Sequence, residues 1–98
     1  MRQMTKSLHD QIAEKLANKF NTEYKSDKGI DIVTGSRVVE IETHKSTLDQ
    51  GVGQISRSPK ARYLAVPESI VKAALERTEG TGIGVMSGTG RIIKKASR

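Results

Sequence analysis

Three carboxylates stand in a stretch of the chain that otherwise consists of β-branched and apolar residues. Asp31 lies between two isoleucines, and Glu40 and Glu42 flank a third. Thr34, Gly35 and Ser36 separate the two runs and have the composition of a tight turn, which predicts a two-stranded hairpin. Because side chains alternate between the faces of a strand, Glu40 and Glu42 should project together, with Asp31 brought near them by the turn. Partly buried carboxylates that converge repel one another, and a divalent cation relieves that repulsion.

The same pattern is also typical of a half-buried strand with a solvated outer face, and Glu-x-Glu alone is weak support for a site. Asp31 favours the functional interpretation, because aspartate is depleted in strands and here has isoleucine on both sides. His44 either stays on the Glu40 face, where it could donate to a phosphate, or points into water at the end of the strand.

Apolar periodicity predicts the elements that position these acids. Leu8, Ile12, Leu16 and Phe20 recur every four residues and predict a first helix capped by Ser7. The other predicted elements are strands over 30–33 and 38–43, a helix starting at 46–49, a strand over 62–66, a helix over 68–77, and strands over 83–86 and 91–94. This order predicts an α/β fold, with a central mixed β-sheet of about five strands flanked by three helices, as a single domain over 1–98.

The glycine-rich segment over 80–90 raises the alternative of a nucleotide-binding loop. Its spacing is neither Gly-x-Gly-x-x-Gly nor the Walker form with Gly-Lys-Ser/Thr, and no long helix follows it. We therefore interpret the segment as part of two strands joined by a turn over 87–90.

The composition bounds the class of protein. The 98 residues are 35% apolar and 3% aromatic, which leaves a modest core, so a homodimer is expected to supply further buried surface. Seventeen Lys and Arg residues against eleven Asp and Glu give a net charge of +6, which favours polyanionic partners. The absence of cysteine excludes a disulfide framework, and the absence of a long apolar run argues against a membrane span. Both features lead us to expect a cytoplasmic protein.

Several polar residues outside the hairpin are candidates for supporting roles. His9 flanks the apolar stripe in the first helical turn and could reach the edge of the sheet, although most such residues are simply solvated. Gly51 and Gly53 weaken the second helix, so we expect another group to approach its backbone closely. Gln50 and Gln54 lie one turn apart and either point together towards the carboxylates or a phosphate, or are ordinary surface glutamines.

A basic surface that contacts phosphates is predicted from the loops around the hairpin and before the third strand. Its six candidates are Lys25, Lys28, Lys45, Arg57, Lys60 and Arg62. Contacts of this kind are made to the backbone of a nucleic acid, so the affinity should fall steeply with salt. The alternative is that these side chains are only solvated.

The pair formed by Asp31 and Glu40-Ile41-Glu42, within this order of elements from Leu8 to about Lys94, resembles the PD-(D/E)xK nuclease superfamily. Within it, the chain is most similar to small archaeal Holliday junction resolvase-like and virus- or phage-type nucleases. The resemblance implies a restriction endonuclease-like fold in which Asp31 and Glu40 bind Mg²⁺ and Gln54 is the glutamine of the following helix. Glu42 stands where the superfamily usually has lysine, as in some restriction enzymes that carry an acid there. His9 stands where the first helix often has glutamate.

These residues together predict a Mg²⁺-dependent endonuclease, also served by Mn²⁺, that hydrolyses DNA phosphodiester bonds, with a preference for branched or junction DNA left open. Asp31, Glu40 and the carbonyl of Ile41 would hold the ion, and Glu42 would orient the attacking water or hold a second ion. Gln54 and His9 complete the predicted catalytic set. The alternative is an inactive nucleic-acid-binding or assembly module on the same fold, which would bind no Mg²⁺ through these acids. A protein-interaction domain, the third interpretation, would not retain DNA at low salt.

Overall fold

A computed structural model describes residues 7–24 and 30–97 of the chain. Within these ranges the chain forms three α-helices and five β-strands. Their bounds are α1 Leu8–Lys19, β1 Ile32–Val33, β2 Arg37–Ile41, α2 Leu48–Ile55, β3 Ala61–Val66, α3 Val71–Thr78, β4 Gly84–Ser87 and β5 Ile92–Lys94. Two short 3₁₀ turns, Lys45–Thr47 and Glu68–Ile70, lead into α2 and α3.

The five strands form one sheet in the order β1-β2-β3-β4-β5. The two outer pairs, β1 with β2 and β4 with β5, are antiparallel, while β2, β3 and β4 run parallel. The parallel pairs are joined through α2 and α3, because parallel neighbours need a crossover connection. The predicted α/β class, with a mixed sheet of five strands and three helices, is therefore confirmed.

The helix α1 covers one face of the sheet. The Ser7 side chain accepts a hydrogen bond from the Asp10 backbone N–H and caps the first turn, as predicted. The apolar stripe of α1 packs against the side chains that β2 and β3 project to the same face, among them Val39, Ile41 and Tyr63. Burial of this stripe stabilises α1, since an isolated helix of 12 residues is marginal in water.

The helices α2 and α3 cover the opposite face. Both helices bury apolar side chains against the strand residues that project to this face, among them Val38 and Leu64. The fully buried helix residues include Leu48 and Ile55 of α2 and Ala74 of α3. The alternation of side chains in β2 thus separates two apolar clusters, and Glu40 lies on the α2 side of the strand together with Val38.

The hairpin is shorter than the sequence predicts. β1 contains only Ile32 and Val33, so Asp31 precedes the strand, and β2 ends at Ile41, so Glu42 follows it. The predicted turn is present, since the Thr34 hydroxyl accepts hydrogen bonds from the backbone N–H groups of Ser36 and Arg37. The later elements lie within one to three residues of their predicted bounds.

Among the residues that the structure describes, no helix combines the length and the apolar character needed to cross a bilayer.

Candidate active site

Asp31 and Glu40 meet at the end of the hairpin that lies away from its turn. The antiparallel register pairs Ile32 with Val39, so the next positions outward, Asp31 and Glu40, lie opposite each other. The Asp31 backbone N–H donates to Glu40 Oε1 over 3.1 Å, and the Ile41 N–H donates to Asp31 Oδ2 over 2.9 Å. These two crossed hydrogen bonds fix both carboxyl groups relative to the strand. The sequence prediction that the two acids converge is met in the structure.

Burial makes both charges unfavourable. Desolvation, and after it the nearby Asp31 charge, raises the pKa of Glu40 to about 8. Desolvation also raises the pKa of Asp31, although the Ile41 N–H and His9 oppose the rise. At neutral pH Glu40 therefore holds its proton more tightly than an isolated glutamate does. The two acids lie close enough that the charge of Asp31 acts on the titration of Glu40.

His9 contacts this pair from the first turn of α1. Its Nε2 lies 3.2 Å from Asp31 Oδ2, and its Nδ1 lies 3.2 Å from the Tyr24 hydroxyl. The Tyr24 hydroxyl in turn donates to Asp10 Oδ1 over 2.9 Å. A continuous chain of hydrogen bonds therefore runs from Asp10 through Tyr24 and His9 to Asp31, and it orients the imidazole towards the acid.

Tyr24 is the residue of this site that the sequence analysis missed. The chain leaves α1 through Asn21, which has a positive φ of 56°, and the segment that follows brings Tyr24 back to the first helical turn. Asparagine tolerates this left-handed conformation better than most residues. The signal in the sequence was an asparagine directly after an apolar stripe, which marks the helix end but does not reveal where the next residues go.

Glu42 lies beyond the end of β2 and packs against α2. A Cβ atom on Gly51 would lie 2.6 Å from Glu42 Cγ, so only glycine allows the helix to approach this side chain. Burial raises the pKa of Glu42, while the nearby Thr47 hydroxyl acts to lower it. The predicted close approach is thus confirmed at Gly51, whereas at Gly53 a Cβ would meet nothing within 4 Å.

Gln54 and His44, the other two candidates, are exposed and lie outside the hydrogen bonds described for the acid pair. Gln54 is exposed on α2, one turn beyond Gly51, and the hydrogen bonds described for Asp31 and Glu40 do not include it. His44 is exposed before the 3₁₀ turn, and its charge acts to lower the pKa of Glu42.

In residues 7–24 and 30–97, no three His, Cys, Asp or Glu side chains are arranged so that they alone could hold a metal ion. A cation between Asp31 and Glu40 would therefore also need oxygen from the backbone, such as the Ile41 carbonyl, or from water. Mg²⁺ commonly binds proteins in this way, through one or two carboxylates and several waters.

The predicted basic surface divides into two parts. Lys45 is exposed at the acid end of the strands, whereas Arg57, Lys60 and Arg62 lie at the opposite end, around the start of β3. Lys60 Nζ donates to the Thr34 carbonyl over 2.7 Å, and Arg62 donates to the carbonyls of Ser56 and Ser97. These last two side chains therefore also hold the structure together. Lys25 and Lys28 lie outside the described residues.

Comparison with known proteins gives no independent assignment. No protein-family model, no curated protein and no solved structure matches this chain. The function has to be argued from the side chains of the site, since a fold alone does not determine a function.

Proposed function

We propose that this protein is a Mg²⁺-dependent endonuclease that hydrolyses phosphodiester bonds in DNA. The single observation that carries the proposal is the pair of partly buried carboxyl groups at the end of the hairpin. Two crossed hydrogen bonds fix the pair: the Asp31 N–H donates to the Glu40 side chain, and the Ile41 N–H donates to the Asp31 side chain. Acids forced together at this depth are unfavourable for the fold alone, and such groups cluster at functional sites.

We further propose that the fold is restriction endonuclease-like. In support, α1 precedes a hairpin that carries the acids, and a helix then crosses over to a parallel strand. This is the order on which the resemblance to the PD-(D/E)xK superfamily rests. Two residues depart from that pattern, and both contact the elements of the site. His9 lies against Asp31, and Glu42 packs against Gly51 of α2.

The side chains present fit a hard divalent cation. Asp31 and Glu40 supply oxygen ligands, and a bound cation would offset the burial and the repulsion that raise the pKa of Glu40. Asp31 Oδ1 and Glu40 Oε2 take no part in the hydrogen bonds that fix the pair. When bound, Mg²⁺ would polarise a phosphoryl oxygen and lower the pKa of a coordinated water.

The chain's own side chains would then divide the remaining work. Glu42, whose pKa is raised by burial, would accept the proton of the attacking water as the new P–O bond forms. His9 holds Asp31 in place from α1, and the chain of hydrogen bonds through Tyr24 fixes its ring. The leaving oxygen departs as the old P–O bond breaks and takes its proton from solvent. No covalent intermediate is required.

Contacts to the DNA backbone would come from Lys45 beside the acids and from Arg57, Lys60 and Arg62 at the far end of β3. We include a homodimer in the proposal, because large apolar side chains are exposed on separate elements, Leu8 on α1 and Ile92 on β5. Sedimentation at twice the mass of the chain would support the dimer.

The test is cleavage of supercoiled, linear and four-way-junction DNA in Mg²⁺ or Mn²⁺. Asp31→Ala and Glu40→Ala should abolish cutting, while Asp49→Ala is the matched control because its carboxylate is exposed and paired with Arg77 on the surface. Cutting that survives in both site variants would exclude this site.

The second candidate function is a nucleic-acid-binding or assembly module without catalysis. The observation that favours it is Glu42 in place of the usual lysine. Titration of Mn²⁺ followed by its electron paramagnetic resonance signal separates the two functions. Binding that depends on Asp31 supports the enzyme, and DNA binding without carboxylate-dependent Mn²⁺ binding supports the module.

A further inference from the structure

A shallow, open depression lies at the turn end of the hairpin, away from the acids. It encloses about 410 Å³ and is lined by Phe20, Thr34, Gly35, Ser36 and Arg37. None of these five residues carries a negative charge, and three of them, Thr34, Ser36 and Arg37, carry side-chain hydrogen-bond donors. The depression therefore has the chemistry of an anion site.

Arg37 is the residue that gives the depression its charge. Its guanidinium carbon lies 5.2 Å from the centre of the Phe20 ring and 5.4 Å from the centre of the Tyr63 ring. Both contacts are cation–π interactions, and they order the Arg37 side chain. The planar fork of an arginine side chain matches two oxygens of a phosphate.

The hairpin turn holds this arrangement rigid. The Thr34 hydroxyl accepts hydrogen bonds from the Ser36 and Arg37 backbone N–H groups, and Lys60 Nζ donates to the Thr34 carbonyl. Lys60 thus adds a second positive charge beside the turn. An arginine whose side chain is already ordered loses little further conformational entropy when it binds a ligand.

We propose that this depression binds a phosphate group through the guanidinium of Arg37, and that the phosphate belongs to the backbone of a polynucleotide. Only the choice of a polynucleotide as the source rests on the proposed function. Arg37 and Glu40 lie three residues apart in β2, so the depression and the acid pair are separated by roughly 10 Å along the strand. They are on opposite faces of the sheet, and binding at the turn is therefore separable from chemistry at the acids.

The experiment is binding of a short DNA duplex, measured in EDTA by fluorescence anisotropy and by the amide NMR signals of Gly35, Ser36 and Arg37. Arg37→Gln should weaken binding about tenfold, and Arg37→Lys should recover only part of it, because lysine keeps the charge but not the planar fork. Inorganic phosphate is the second probe.

A second variant leaves Arg37 in place. At Gly35 a side chain would meet nothing within 4 Å, so Gly35→Glu adds a carboxylate to the depression without a clash. Gly53→Glu is its matched control, since the same charge is added at an equally open position on α2. We expect Gly35→Glu to weaken binding about tenfold and Gly53→Glu about twofold at most.

Equal duplex binding by wild type, Arg37→Gln and Gly35→Glu would overturn the proposal. If inorganic phosphate, at the concentration used for the duplex, shifts the same amide signals, the phosphate need not come from a polynucleotide, and that part of the proposal would be overturned. Because no metal is present, these results do not depend on cleavage, and loss of the proposed nuclease function would leave them unchanged.

Discussion

Replacement of Glu40 by glutamine should stabilise the protein at alkaline pH and leave its stability almost unchanged at acidic pH. Glutamine keeps an oxygen that can accept the Asp31 N–H, so the crossed hydrogen bonds survive the change. It removes the ionised form of a group whose pKa in the folded chain is about 8 against an ordinary 4.5. The variant therefore isolates the free energy that the charge costs the fold.

The sign follows from proton linkage. Below pH 4.5 the carboxyl group is protonated in both states, and no difference arises. Between the ordinary pKa and about 8 the unfolded chain loses the proton that the folded chain keeps, so the wild type loses stability as the pH rises. At roughly 1.4 kcal/mol per unit of pKa, the complete shift corresponds to about 5 kcal/mol. Glu40 is only partly buried, and solvent screening reduces the expected gain of the variant to about 2 kcal/mol.

The assay is urea denaturation at pH 5 and pH 9 in EDTA, with Glu68→Gln as the control because this glutamate is exposed. The free energy of unfolding of Glu40→Gln should exceed that of the wild type at pH 9 by about 2 kcal/mol and at pH 5 by only a small part of that. An advantage of the same size at both pH values would refute the argument from burial and repulsion.

Addition of Mg²⁺ extends the same experiment to the metal. A ligand that binds only the folded chain stabilises it by about 1.4 kcal/mol when present at roughly ten times its Kd. We expect this gain for the wild type at pH 9 and not for Glu40→Gln, which lacks the second carboxylate. Equal stabilisation of both proteins would show that the ion binds elsewhere.

Two further predictions concern the frame of the site. Gly51→Ala should destabilise the protein by about 1–3 kcal/mol in urea denaturation, because its Cβ would overlap Glu42, whereas Gly53→Ala, with open space, should stabilise it by about 0.5–1 kcal/mol. A destabilising Gly53→Ala would contradict this reasoning. Ser7→Ala removes the acceptor that caps α1 and should cost about 1 kcal/mol, read from the same denaturation curves, and no change would show that the cap contributes nothing.

The sequence was sufficient to predict the class of fold because hydrophobic periodicity decides it. The stripe of α1 and the alternation in β2 each identify a buried face, and the glycine at position 51 indicated a close approach before the partner was known. Convergence of Asp31 and Glu40 followed from the short turn, since few registers are compatible with it.

Other parts of the site depend on information that periodicity does not contain. The predicted strands of the hairpin extend further than the observed ones. At Asp31 the backbone of β1 no longer pairs with β2, because the Asp31 side chain accepts the hydrogen bond from the Ile41 N–H. Tyr24 reaches His9 only after a chain reversal at Asn21. Arg37 was not singled out, because its role depends on Phe20 and Tyr63, which are distant in the sequence.

The partners of the two acids differ from those of a structural ion pair. A structural cluster would neutralise its carboxylates with lysine or arginine, since a buried charge without a partner is strongly unfavourable. In the described part of the chain His9 Nε2 lies 3.2 Å from Asp31 Oδ2, and the other hydrogen bonds of the pair are donated by the backbone N–H groups of Asp31 and Ile41. The ion pairs described within residues 7–24 and 30–97 join neither acid to a lysine or an arginine, so protons or an added cation can balance their negative charge. A divalent cation held by both carboxylates would offset this unfavourable charge and, in the proposed function, would supply the positive charge that phosphodiester hydrolysis requires.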